Sequence, residues 1–170
     1  MSCKEPADPS SNESGDDHMG IAELEELVQA RRIEKITPDL DDVEQRWRNA
    51  SHEVAKAEAI LGEGASQANA RIACLLAWDA ALDLFQGWLA FFGYRVTPER
   101  GHNSAAIQAL KALFHGRREA LDLVRELDSL RRMRDSTLYN NDPLDPEDVS
   151  PYLPPIRELA DWLGKAVMRV

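Results

Sequence analysis

A single apolar stretch, from Ala65 to Phe92, constrains the fold of this chain more than any other feature. It contains no proline and one glycine, Gly87, and its large apolar residues recur at helical spacing. This pattern predicts an amphipathic helix with a wide apolar face, about 40 Å long. A rod of that length and composition needs other helices around it in water, so the sequence predicts an all-α helical bundle.

The other segments supply those helices. Helical periodicity recurs over four further stretches, and a last helix follows Pro155, which makes five or six helices in an up-and-down bundle. Thr37 is the expected N-cap of the second helix, with Pro38 at its first position. Apart from weak hints at 94–97, no run alternates like a strand. The expected helical ranges are 21–36, 38–61, 65–92, 103–114, 118–139 and a segment after 155, with a short turn begun by Asp145.

Composition limits the classes of protein to which the chain can belong. A length of 170 residues with 44% hydrophobic content suits one domain, predicted at 21–170, preceded by a disordered acidic tail at 1–20. The net charge of −10 opposes general coating of nucleic acid but permits a local basic patch. The two cysteines, Cys3 and Cys74, form neither a disulfide framework nor a metal site.

Two observations predict a cytoplasmic protein without a membrane span. The first residues lack an apolar signal segment. The long apolar stretch carries Asp79 and Asp83 near its middle, where a membrane span rarely places two carboxylates. The sequence also shows no phosphate-binding glycine motif, zinc spacing or catalytic triad pattern, so no cofactor is expected.

The most unusual segment, Leu130 to Asp148, contains three arginines at 131, 132 and 134. Arg131 and Arg134 fall on one side of the predicted helix, and Arg134 lies near its apolar stripe. An inward arginine costs several kcal/mol unless a carboxylate meets it, so Asp79 or Asp83 is the expected partner of Arg134. The alternative interpretation is that both aspartates lie at the solvent edge and the arginines form a hydrated basic patch.

Two sequence segments resemble a known family. RDSTLY, from Arg134 to Tyr139, is similar to the arginine motif of HEPN domains, in which an arginine, usually followed by asparagine, precedes a histidine. The range 77–113, with its Gly-Tyr-Arg and Gly-His elements, is similar to the actinobacterial type of HEPN protein. The resemblance covers roughly 43–148 and implies a four- or five-helix bundle that dimerises and brings both arginine motifs into one cleft.

The resemblance also implies a set of activities. Many HEPN proteins are metal-independent ribonucleases of toxin–antitoxin, abortive-infection or CRISPR systems. Others are inactive partners of small nucleotidyltransferases, or bind nucleotides. Cleavage of this kind needs only a base and a cation, because the ribose 2′-oxygen attacks its own phosphate.

This chain departs from the motif at two positions. Asp135 replaces the preferred asparagine, and Tyr139 replaces the catalytic histidine, although tyrosine is a poor base at neutral pH. The leading hypothesis is therefore a weakly active or inactive nucleotide- or RNA-binding subunit of a toxin–antitoxin-type system, forming a homodimer and pairing with a nucleotidyltransferase antitoxin.

Each candidate site residue has an expected role in that subunit. Arg131 and Arg132 would hold phosphate, and Tyr139 would stack on a base or donate a hydrogen bond. The first alternative is an active endoribonuclease that uses Arg134 with His102. The second is a helical protein–protein adaptor with solvated arginines.

Overall fold

A computed structural model describes residues 16–64, 66–98 and 101–170, with side chains from residue 20 onward, and confirms the all-α helical bundle. Six helices have twelve residues or more, and the two longest lie side by side at the centre. The elements are α1 (Asp16–Gln29), β1 (Ile33–Lys35), α2 (Leu40–Gly62), α3 (Gln67–Phe91), β2 (Tyr94–Val96), α4 (His102–Leu113), α5 (Arg118–Tyr139), α6 (Pro146–Val149), a 3₁₀ turn (Ser150–Tyr152) and α7 (Leu153–Val167).

Helix α3 is the centre of the core, as its apolar sequence predicts. Trp78 and Phe85 are fully buried on it and meet edge to face, with ring centroids 6.3 Å apart. Buried alanines on α2 and α3 let these two helices pack closely along their length. By length and composition α3 also passes the test for a membrane span, although most of its apolar window is buried inside the bundle. The core helix of a water-soluble bundle has the same properties, so the cytoplasmic location stays a prediction.

Glycine lets α7 approach α2 closely. A Cβ atom at Gly164 would lie 2.8 Å from the indole ring of Trp47, which is closer than real side-chain contacts allow. The absence of a side chain on Gly164 therefore makes room for that ring, and α7 closes the bundle against α2 and α3.

The first part of the chain differs from expectation in two ways. Residues 16–20 belong to α1, whereas the sequence predicted a disordered tail through residue 20; residues 1–15 of that tail lie outside the described part. Helix α1 ends at Gln29 rather than near residue 36, because Arg31 adopts a left-handed conformation with φ of 56°. The chain then forms β1, which pairs antiparallel with β2.

Helix boundaries elsewhere lie close to those predicted. Helix α5 spans the predicted range, and α3 begins after Ser66, whose hydroxyl accepts from the backbone N–H of Asn69 at 3.0 Å. The predicted cap of α2 was wrong. Asp39, not Thr37, occupies the N-cap position, and its carboxylate accepts from the N–H groups of the first turn.

Candidate functional site

The three arginines singled out by the sequence lie on the C-terminal half of α5, where Asp128 binds two of them. Its carboxylate accepts from Nε of Arg131 at 3.0 Å and from a terminal nitrogen of Arg132 at 3.1 Å. Lys111 of α4 brings a third cation within 3.7 Å. Asp128 is buried, and burial alone would raise its pKa, but the bonds from both arginines hold that pKa below its ordinary value.

A second carboxylate, Asp135, joins the remaining arginine to this network. It lies 3.3 Å from Arg131 and accepts from Nη1 of Arg134 at 2.8 Å. The hydrated-patch alternative is therefore wrong for Arg131 and Arg134, whose side chains are mostly buried and ion-paired on their own helix. Only Arg132, with 68% of its side chain exposed, is open to solvent.

The predicted ion pair between Arg134 and the carboxylates of α3 is not formed. Asp83 instead lies 3.5 Å from Arg46 of α2. Asp79 is exposed and is not paired with Arg134. Partial burial raises the pKa of Asp79, while the nearby charge of Arg134 opposes that rise. The guanidinium of Arg134 is thus close enough to influence Asp79 electrostatically. Its hydrogen bond, however, goes to Asp135, the next residue on its own helix.

Arg134 keeps a donor without an acceptor. Its Nε is buried and has no hydrogen-bond partner among the described residues, although 25% of the side chain is exposed. A buried N–H without a partner costs about 1–3 kcal/mol, so Nε of Arg134 is a destabilised donor in this arrangement. Close to Arg134, helix α5 is anchored to α3, because Arg71 of α3 donates to the carbonyl of Thr137 at 3.2 Å.

The end of α5 carries two exposed apolar residues. Tyr139 has 78% of its surface exposed, and its ring is therefore available for stacking. Leu138, the residue before it, is 46% exposed. Tyr139 follows Arg132 by seven residues and shares its helix face.

His102 is not next to Arg134. It begins α4 and lines a cleft of ≈350 Å³ together with Tyr94, Arg95 and Arg46. The cleft is lined by α3 residues in the range 86–90, whereas Arg134 lies near Asp79 on the same helix. The cleft and Arg134 are therefore separated by about 10 Å or more along the axis of α3. In this arrangement His102 lies apart from Arg134, and the endoribonuclease alternative that uses both residues stays a prediction. The Gly-Tyr-Arg and Gly-His elements of the sequence do converge, but in this separate cleft.

Sequence reasoning missed Asp128 and Lys111. The signal for Asp128 was present, because it precedes Arg131 by three residues and Arg132 by four, the spacing at which opposite charges meet on a helix. Lys111 lies on another helix, so only the packing of α4 against α5 reveals it. Across the described ranges, no group of three or more acidic, histidine or cysteine side chains is arranged to hold a metal ion.

Comparison with known proteins adds no assignment. No family model matches the chain. No curated protein and no solved structure matches it either. The resemblance to HEPN domains therefore stays a prediction from the sequence.

Proposed function

We propose that this protein is a non-catalytic RNA- or nucleotide-binding subunit of a toxin–antitoxin-type system, and that it binds phosphate at the C-terminal half of α5. The single observation that carries the proposal is the buried Nε of Arg134, which has no acceptor among the residues that the structure describes. Guanidinium groups bind phosphate through paired N–H donors, and Asp135 occupies only Nη1 of this one.

The surroundings of Arg134 supply the other parts of such a site. Arg132 is mostly exposed and can meet a second phosphate. Tyr139 lies on the same face as Arg132 and exposes its ring for stacking on an unpaired base. Lys111, Arg131, Arg132 and Arg134 carry four positive charges, and Asp128, Asp135 and the nearby Asp79 carry three negative ones, so the cluster keeps a small positive excess within an acidic protein.

The same network leads us to expect weak binding. A phosphate must compete with Asp135 for Arg134 and with Asp128 for Arg132. Asp135 therefore lowers affinity, as expected from its replacement of the family's asparagine. Tyr139 is no general base at neutral pH, and His102 lies in the other cleft, so the site binds without cleaving.

Two substitutions at the centre of the site are expected to change RNA affinity in opposite directions. Arg134→Ala should weaken binding of a labelled single-stranded RNA about tenfold, because a charge-assisted contact is lost. Asp135→Asn should strengthen it about fivefold, because the competing negative charge is removed. Fluorescence anisotropy at several salt concentrations measures both effects, and Arg134→Ala should also flatten the salt dependence.

Arg125→Ala is the matched control, since Arg125 is an exposed arginine on α5 that pairs with Asp122. Its RNA affinity should equal that of the unaltered protein. Equal affinities for all four proteins, or no binding at low salt, would refute the phosphate site. Intact RNA after incubation without metal is the expected result of a parallel cleavage assay.

We also propose that a second copy of the chain covers the outer edge of α3. Residues 72, 75, 79, 82 and 86 follow the 3–4 spacing of a helix-pairing seam, and all of them retain exposure. Ile72, Leu75 and Leu82 supply the apolar positions.

Leu82→Arg is expected to convert a dimer into a monomer. The substitution replaces one of the three apolar positions of the seam with a charge, and burying that charge would cost several kcal/mol. Sedimentation or light scattering over a range of concentrations measures the change. Gln108→Arg on the exposed face of α4 is the control and should leave the dimer intact. A monomeric unaltered protein at high concentration would rule out this interface.

A protein–protein adaptor is the second candidate. The observation that favours it is the ion pairing of all three arginines with Asp128 or Asp135. In that case Ile72, Leu138 and Tyr139 would form an apolar contact surface for another protein. The RNA-binding series decides between the two functions, because an adaptor shows no response to Asp135→Asn.

A further inference from the structure

A cation on α4 and a cation on α5 share one carboxylate oxygen. Nζ of Lys111 lies 3.7 Å from Oδ2 of Asp128, and Arg132 donates to the same oxygen at 3.1 Å. The other oxygen of Asp128 accepts from Arg131, which also pairs with Asp135. Among the described residues, no other carboxylate lies within ion-pairing distance of Lys111 or Arg132. These two cations can therefore pair with a further negative group.

Both cations are accessible from solvent. Arg132 has 68% of its side chain exposed, and Lys111 has 35%. A single exposed ion pair raises affinity at most about fivefold, because water and salt screen it. A ligand with one carboxylate would therefore bind poorly here. The surface instead fits an acidic peptide that presents several carboxylates together.

The chain itself contains an acidic peptide of this kind at residues 1–17. This segment has five acidic residues and one basic residue, which gives it a net charge of −4. The acidic residues are Glu5, Asp8, Glu13, Asp16 and Asp17, and the basic one is Lys4. Like RNA, the segment carries several negative charges along one chain, so the same cations attract both.

The start of α1 attaches this segment close to Lys111. Gly20 packs directly against α4, because a Cβ atom at this position would overlap the carbonyl oxygen of Ala112. Ala112 follows Lys111 in the sequence, so Gly20 and Lys111 are neighbours in space. Fifteen residues span at most about 50 Å, so the carboxylates at positions 5, 8 and 13 are within reach of both cations. Attachment to the same chain also gives them a high effective concentration.

We infer that the acidic segment 1–17 binds Lys111 and Arg132 of its own chain and thereby competes with RNA for this surface. The contact itself needs no RNA, whereas the competition rests on the proposed function. Because each ion pair is exposed, the contact forms at low salt and dissociates at high salt. An RNA that carries more negative charges than the segment displaces it.

A spin label on Cys3 tests the contact in the full chain without RNA. The label attaches there selectively, because Cys74, the other cysteine, is buried and burial raises the pKa of its thiol to about 11. In nuclear magnetic resonance spectra at low salt, the label should broaden the backbone amide signals of Lys111 and Arg132. The broadening at Arg132 should decrease at least about twofold when the salt is raised to about 0.5 M.

A matched variant separates attraction from mere attachment. It keeps the label and the length of the segment but removes three charges, through Glu5→Gln, Asp8→Asn and Glu13→Gln. Asp16 and Asp17 stay unchanged, because acidic residues stabilise a helix start and α1 begins at Asp16. The broadening at Arg132 should be at least about twofold weaker in this variant. Equal broadening in both proteins would assign the proximity to attachment alone and overturn the inference.

RNA affinity provides the second measurement. The same triple variant should bind single-stranded RNA about threefold more tightly than the unaltered protein at low salt, and the two affinities should converge at high salt. The control removes three exposed charges elsewhere, through Glu147→Gln, Glu158→Gln and Asp161→Asn. Equal gains in both variants, or no gain in either, would overturn the competition. Failure of every protein to bind RNA would refute the phosphate site, while broadening that depends on the charges of the segment would still support the contact.

Discussion

Trp78→Ala is expected to lower the free energy of unfolding by about 3–5 kcal/mol. Trp78 is fully buried in the middle of α3 and meets Phe85 edge to face. The substitution removes the largest fully buried side chain of the core and leaves a cavity that surrounding helices fill only in part. The loss is a large share of the 5–15 kcal/mol or so that stabilises a typical domain.

Urea unfolding followed by circular dichroism measures this loss. Leu138→Ala is the control, because Leu138 is half exposed at the end of α5. Its cost should stay below about 1 kcal/mol. A small effect of Trp78→Ala, or an equal effect of both substitutions, would show that α3 is not the centre of the core.

The long helices were predictable because their apolar periodicity extends over many turns. Helix α5 has the predicted bounds, and α3 begins within two residues of its predicted start. In both segments local propensity and burial favour the same structure, so no distant contact has to override the pattern. The short helical turn at Asp145 was also predictable, since aspartate followed by proline favours a helix start.

The N-terminal strand was not predictable from local pattern. Ile33 continues the helical spacing of α1, but it pairs with Val96, sixty-three residues further along the chain. The free energy gained by pairing β1 with β2 depends on how α3 and α4 position β2. The residues next to Ile33 in the sequence do not reveal that position. The weak alternation of apolar and polar residues at 94–97 was the one local sign of this strand pairing.

The candidate site shows the same division between local and distant information. The position of Arg134 on the inner side of α5 was predictable from helix periodicity, and its side chain is indeed mostly buried. Its partner was not predictable in the same way. A carboxylate on the same helix is reached at little entropic cost, so Asp135 pairs with Arg134 where Asp79 was expected.

Asp128→Asn is expected to lower the free energy of unfolding at neutral pH by about 2–3 kcal/mol. The substitution keeps the shape of the side chain but removes the negative charge that holds Arg131, Arg132 and Lys111 together. Three cations then repel one another around a buried neutral group. Glu147→Gln on the exposed surface removes the same charge and should have little effect.

The pH dependence identifies the charge as the cause. The pKa of Asp128 is lowered in the folded protein from its ordinary value of 3.8, so its charge stabilises the fold above that value. This contribution is lost as the pH falls through the lowered pKa. The stability difference between the unaltered protein and Asp128→Asn should therefore be full at neutral pH and shrink in acid below about pH 4. A difference that is constant with pH would assign the effect to packing.

Asp128→Asn should raise the affinity for RNA although it lowers the stability of the fold. Once Asp128 is neutral, Arg132 can turn towards phosphate, while Arg131 is still held by Asp135, so affinity should rise while stability falls. An increase of about fivefold in anisotropy titrations would match the removal of one competing charge. Loss of stability without any gain in affinity would mean that this carboxylate only supports the packing of α4 against α5. Arg132 would then not serve as a phosphate contact of the site.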